Sequence, residues 1–195
     1  MKNYLLILIT ISAIIMNSCK TTSEEKKFDR IDVKDLKENV FELFNDNWFV
    51  VTAGENEVFN PMTISWGGLG ILWGYPVATI YIRDSRHTYQ FIDKGDYFTL
   101  CAFDEKYRDE VTYFGTASGR DEDKIKASGL TPAKTLQGNL YFEEARLVIE
   151  CEKIYFNDLE KDNILDAKSK NFYEGEDTSY HTMFVGKIIN VWEKK

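Results

Sequence analysis

NPMTISWGGLGILWGYPVATIYIRDSRHT, residues 60–88, decides the fold. From Asn60 to Trp66 polar and apolar side chains alternate, so on a strand Thr63 and Ser65 share one face while Met62, Ile64 and Trp66 share the other. This segment follows an expected loop, Gly54–Phe59, and precedes an expected glycine-rich one, Gly67-Gly68-Leu69-Gly70 with Gly74. The next run, Val77–Arg83, is built of branched and aromatic residues that favour extended chain. It stops at Asp84-Ser85-Arg86-His87-Thr88, where a helix over Thr88–Lys94 takes over.

The same texture extends in both directions. Trp48–Ala53, Tyr97–Phe103, Ala145–Phe156 and Thr182–Trp192 read as further strands. Val33, Leu36, Val40 and Leu43 or Phe44 stand at helical spacing behind Asp32, a ready cap, so a helix over 32–44 leads the domain. Tyr107–Phe114 and Asp121–Ser128 also read as helices. These are too few and too unevenly placed for a βαβ alternation. The expected architecture is mainly β, an antiparallel barrel with peripheral α-helices. No repeat or Pro/Ser-rich linker divides it.

The 195 residues carry 24 Lys+Arg against 32 Asp+Glu, a net charge of -8, which leaves too little positive charge to hold nucleic acid by phosphate neutralisation. No GxxxxGK[ST], HExxH or GxSxG is present, and the glycines after Trp66 miss the GxGxxG spacing. Three Cys and two His stand in unrelated places, so no metal site is expected. Cys101 and Cys151 lie inside apolar runs and read as buried thiols; a disulfide between them is the alternative that an oxidising compartment permits.

The N-terminus is an address. Lys2 precedes an uncharged run, Leu5–Met16, too short for the about 20 residues of a spanning helix but suited to the apolar core of a secretory signal. Ser18 and Cys19 follow where cleavage would fall. The pattern resembles a bacterial lipoprotein signal, which implies removal of residues 1–18, lipidation of Cys19 and anchoring in the cell envelope. Met16 and Asn17 depart from the usual residues there. A buried N-terminal helix is the competing account, although the run lacks the polar stripe of a surface helix. Residues 19–30 are then a charged tether, and 31–195 the folded domain.

Three segments suit an anion. Thr63 and Ser65 offer two hydroxyls on one strand face. Arg83, Ser85 and Thr88 stand beside the free amides of a helix start. Ser118-Gly119-Arg120-Asp121, with Lys124 a turn beyond Arg120, forms another start that can receive an anion. Each alone is equally an ordinary strand or capped surface helix, and His87 reads as a solvent-facing bystander. Taken in order, NPMTISW (60–66), GGLGILWGYPVATIYIR (67–83), DSRHTYQFI (84–92), YFTL (97–100), YFGTASGRDEDK (113–124), YFEEARLVIEC (141–151) and YHTMFVGKIINV (180–191) resemble the flavin reductase-like, FMN-binding split-barrel family of the flavoredoxin type.

That resemblance implies a six-stranded split barrel, a homodimer, and FMN as cofactor near the subunit interface. By position, Asn60, Thr63, Ser65 and Trp66 would line the flavin site, Arg83, Ser85 and Thr88 would contact its phosphate region, and Ser118, Gly119 and Lys124 would close it. His181 would stand on the ring or substrate side, after a polar segment, Asn157–Ser179. The function implied is an FMN-dependent oxidoreductase or electron-transfer flavoprotein, with the redox chemistry supplied by the flavin. An exported protein meets little NAD(P)H, so a protein or quinone donor is the expected partner. The alternative is a barrel that binds flavin, or another planar ligand, without turnover.

Overall fold

The computed structural model describes residues 27–55, 57–175 and 177–195. In chain order the strands are β1 (Phe28–Ile31), β2 (Phe49–Glu55), β3 (Val58–Ile64), β4 (Gly67–Leu72), β5 (Tyr75–Arg83), β6 (Tyr97–Ala102), β7 (Pro132–Lys134), β8 (Leu140–Phe142), β9 (Leu147–Asp158) and β10 (His181–Lys194). The helices are α1 (Val40–Glu42), α2 (Tyr89–Lys94), α3 (Arg108–Thr116), α4 (Lys124–Ser128) and α5 (Ala167–Lys170). One antiparallel sheet has the order β3-β2-β6-β9-β10-β5-β4, with β1 added to β10, and β7–β8 form a separate hairpin. The ends of that path, β3 and β4, are not hydrogen-bonded to each other, so the barrel is split there.

β10 sets the curvature. Its first half pairs with β5, from His181 to Lys187, and its last residues pair with β1. Register shifts against β9 fall at Val185/Gly186, where β9 carries the extra residue Ile154, and at Ile188/Asn190, where β10 carries the extra residue Ile189. Gly186 is required at the bend, because a Cβ there would lie 2.5 Å from Phe98 Cζ and 2.6 Å from Cys151 Cβ.

Both faces of the central strands are buried, which is why those strands read as continuous apolar runs instead of alternating ones. Phe49, Val51, Leu100, Ile149, Cys151 and Phe184 point into one core. Val50, Cys101 and Val148 point the other way, under Val111 and Phe114 of α3 and Phe142 of β8. Cys101 pairs with Val148 and Cys151 with Phe98, so the two thiols stand on opposite faces of the sheet. Both are free and buried; burial pushes the Cys101 thiol up to about 12 and raises Cys151 as well. Glu150, also fully buried, accepts from Thr135 and, at 2.8 and 2.6 Å, from Asn139 and Asn190, which ties the β7–β8 hairpin to the sheet.

Several local expectations change. The helix expected over 32–44 divides: Asp32 caps a single turn at Val33–Asp35, the chain then extends, and Asn39 caps α1, which widens into a looser turn at Leu43–Asn47. Leu43 and Phe44 are nonetheless the buried pair at its end. Phe28–Arg30 belong to β1, because β10 runs to Lys194 and offers them an edge. Gly54–Phe59 is mostly strand, with Gly54 paired to Phe59 and Glu55 to Val58. The glycine-rich loop is β4, turned into β5 by Trp73-Gly74 with φ of 51° and 79°, the left-handed pair of a two-residue hairpin turn. α4 starts at Lys124 instead of Asp121, because the Asp123 carboxylate accepts from Lys126 N–H and serves as the cap. It stops at Gly129, φ 72°. The proposed signal and Cys19 lie outside the described residues.

Candidate functional site

β3 is an edge strand, and its free edge is covered by three other segments: the turn after β5, α3, and the loop from Ala117 to Asp123. Asn60 is buried on β3 and donates to Thr88 Oγ1 at 2.6 Å, which joins the strand to the start of α2. Thr63 donates its hydroxyl to the Val111 carbonyl of α3. Arg86 reaches across to the Gly115 carbonyl at 2.7 Å, and Arg120 reaches back to the Ser85 carbonyl at 3.1 Å. Together these cross-links define two adjoining cavities that meet at Met62 and Arg86.

The first cavity, about 250 Å³, is lined by Asn60, Ser85, Arg86, Thr88, Ser118, Gly119, Arg120 and Lys124. It is rich in donors, with one carboxylate, Asp177, in their midst. Lys124 is only 4% exposed, and its Nζ donates to the Phe114 carbonyl at 3.0 Å. Burial, helped by the nearby Arg86, lowers its ammonium to about 8, against a partial opposing pull from Glu122. His87, beside it, is lowered by burial and then by Arg120 and Lys124. A cation held in so little solvent, with two guanidinium groups nearby, is stabilised by an arriving anion. Gly119 keeps the cavity open: a Cβ there would stand 1.9 Å from Asn60 Oδ1 and 2.9 Å from His87 Cδ2. Asn60, Gly119 and Lys124 also form one wall of a wider cleft of about 740 Å³ that continues past Phe59, Phe91 and Leu130.

The second cavity, about 200 Å³, is lined by Thr63, Ser65, Trp66, Tyr81, Arg83 and His181. Its wall is aromatic. Trp66 lies 4.7 Å from the His181 ring and edge-on to Phe172 at 5.3 Å. His181 opens β10 opposite Arg83 of β5, and its Nδ1 is 3.0 Å from the Tyr173 hydroxyl, while Tyr173 itself stacks on Tyr180 at 4.3 Å. Burial, then Arg83, pulls the His181 imidazole down to about 4, with Asp177 opposing, so the ring is neutral at pH 7.

Most of the residues singled out in the sequence therefore converge, but in different roles. Ser85, Thr88, Ser118, Gly119, Lys124 and Asn60 meet at the anion end; Ser65, Trp66 and His181 meet at the aromatic end; Thr63 spends its hydroxyl on α3. Arg83 lines the aromatic end and turns to the carbonyls of Phe172 and Asp177, the latter at 3.0 Å. The guanidinium groups of the anion end are Arg86 and Arg120, both inside the quoted motifs but not assigned a contact by spacing. Phe172, Tyr173 and Asp177 carried no sequence signal, since they come from a polar segment with no periodicity. Among the described residues no helix is long and apolar enough to cross a membrane, and no group of three or more His, Cys, Asp or Glu is placed to hold a metal ion.

Comparison with known proteins bears on the fold. Solved structures similar in fold include an FMN-binding protein from Thermus thermophilus with bound p-hydroxybenzaldehyde, 20% identical over 85% of this chain and 81% of that one, with a TM-score of 0.60. Flavoredoxin of Desulfovibrio vulgaris (Miyazaki F) is 21% identical over 85% and 78%, TM-score 0.60. The NADH:FAD oxidoreductase of Streptomyces globisporus C-1027 is 18% identical over 75% and 74%, TM-score 0.56. No curated protein matches in sequence. The flavin reductase like domain matches residues 41–195, which takes in every strand from β2 onward and both cavities, and the chain belongs to that family.

Proposed function

We propose that the chain binds FMN along β3, phosphate in the Ser118–Lys124 cavity and ring against Trp66 and His181, and serves as a redox enzyme or electron carrier of the cell envelope. The observation that carries this is the pairing of a cationic cavity with an adjoining aromatic one, joined at Met62 and Arg86. The donor set fits a phosphate: Arg86, Arg120, Lys124 and the hydroxyls of Ser85, Thr88 and Ser118 all donate hydrogen bonds, and Gly119 leaves the space a Cβ would fill. Flavin supplies the hydride and electron chemistry when bound; the protein binds it, orients it and sets its surroundings. In that arrangement His181 is a neutral imidazole held by Tyr173, able to donate or accept one hydrogen bond at the ring end. The family and the FMN-binding and flavoredoxin neighbours support the cofactor.

Export, removal of residues 1–18 and lipidation of Cys19 follow from the N-terminal pattern. A Cys19→Ala chain that stays in the membrane fraction overturns the anchor. A homodimer is supported by exposed Ile71, Trp73 and Tyr75 about the β4–β5 turn, with Tyr155 of β9 against Trp73. The deciding experiment is the visible spectrum of the purified chain after FMN addition and desalting. Retained flavin absorption, bleached by a reductant and restored by an oxidant, is the expected result. A colourless protein that returns all its FMN refutes the reading.

A further inference from the structure

The anion end of the cleft already faces an anion of the protein's own. Between β9 and β10 the chain makes α5, capped by the Asp166 carboxylate, and then a turn at Asn171–Tyr173, and returns across the outer end of β5. Arg83 holds it by donating to the carbonyls of Phe172 and Asp177, with its guanidinium 5.3 Å from the Tyr173 ring centre. These contacts place the Asp177 side chain at Ser85, whose hydroxyl donates to Asp177 Oδ2 at 2.8 Å. Ser179 completes the arrangement: its N–H donates to Asp177 Oδ1 at 3.0 Å and its hydroxyl donates to the same oxygen at 2.5 Å, with Ser85 Oγ 3.0 Å away. Asp177 thus lines the same cavity as Arg86, Ser118, Arg120 and Lys124. The hydroxyls of Ser179 and Ser85 hold its carboxyl well below the usual carboxylate range, so it carries a full negative charge at neutral pH.

A carboxylate and a phosphate monoester compete for the same donors and repel each other in the same small space. We infer that Asp177 is a specificity-determining residue of the flavin site: an internal anion that contests Ser85 and the surrounding cations with the incoming phosphate, lowering the preference for FMN over riboflavin. This rests on the FMN reading above. The phosphate gains the cationic cavity only by sharing it with, or displacing, this carboxylate, and the cofactor is held for exchange instead of permanently. Arg83 also pairs with the Asp177 carboxylate at 3.4 Å, so neutralising that side chain removes the ion pair while the two backbone-carbonyl bonds from Arg83 stay in place.

The test compares FMN and riboflavin binding, read by quenching of flavin fluorescence, in the full chain, in Asp177→Asn and in Asp177→Ala. The expected result is a rise in the FMN-to-riboflavin affinity ratio by roughly two- to fivefold in both variants, the scale of a solvent-accessible charge pair. Inorganic phosphate alone should also raise the melting temperature of Asp177→Asn more than that of the parent. Parallel weakening of both flavins assigns Asp177 a purely structural clamp and overturns the inference, as does an unchanged ratio. If the parent chain binds neither flavin, the FMN reading fails first and this inference falls with it; a parent that binds FMN while the ratio stays fixed rejects this inference alone.

Discussion

Lys124 offers the sharpest perturbation, because the structure assigns it opposite effects on stability and on binding. Its ammonium falls from an ordinary 10.5 to about 8, so carrying the charge at neutral pH corresponds to about 3 kcal/mol of penalty in the ligand-free fold. That penalty is complete below pH about 8 and fades as the pH rises toward 10.5, the value of the unfolded chain. Lys124→Met keeps the length and apolar stem and removes the charge, while the Phe114 carbonyl loses its donor at a cost of about 1–2 kcal/mol. The net gain is about 1–2 kcal/mol, which for a domain of this size raises Tm by about 2–8 °C. Binding should move the other way. Loss of a charge-assisted hydrogen bond weakens FMN by about 1–3 kcal/mol, roughly 5- to 150-fold, whereas riboflavin, without the phosphate, should be little affected. Thermal melting and fluorescence titration of the one variant check both. A Lys124→Met protein that melts lower than the parent and binds FMN as well as before would refute the assignment of Lys124 as a strained cation awaiting an anion.

Other expectations follow from neighbouring groups. FMN affinity should fall as pH rises above about 8, since a bound phosphate favours protonated Lys124 and binding takes up a proton there; riboflavin titrated over the same range should show no such slope. Acid stability should reflect His181, whose imidazole titrates near 6.5 when unfolded and about 4 when folded: stability is lost as pH falls through that window, by up to about 3 kcal/mol, and urea melts of His181→Phe at neutral pH and at the acid end should show a smaller loss than the parent. Gly119→Ala should push Asn60 away from Thr88, costing about 1–2 kcal/mol of stability by urea melting together with weaker FMN binding; a variant indistinguishable from the parent would show that the loop moves aside freely.

The fold class and the positions of the long strands along the chain are legible in the sequence. The apolar runs around Val51, Ile80, Leu100, Ile149 and Phe184 are long enough, and branched and aromatic enough, that burial leaves them only extended structure. Ser85, Thr88, Ser118 and Gly119, which line the first cavity, were also legible in the sequence as candidates, because they sit where strands end and helices begin, and such ends expose unpaired amides and turns. Elements whose pairing is decided elsewhere in the chain escaped it. Phe28–Ile31 and Gly67–Leu72 are strands only because β10 and β5 present edges to them, and neither has a strong preference of its own. Likewise, Asp32 and Asn39 compete as caps in one short segment, and the outcome depends on seating Leu43 and Phe44 in the core. Only the tertiary structure could turn Arg83 away from the anion end, bring Arg86 and Arg120 into it, and set Asp177 against Ser85. Those contacts join residues such as Arg86 and Gly115, 29 positions apart in the chain, and Ser85 and Asp177, 92 apart, and no local pattern of spacing or polarity encodes them.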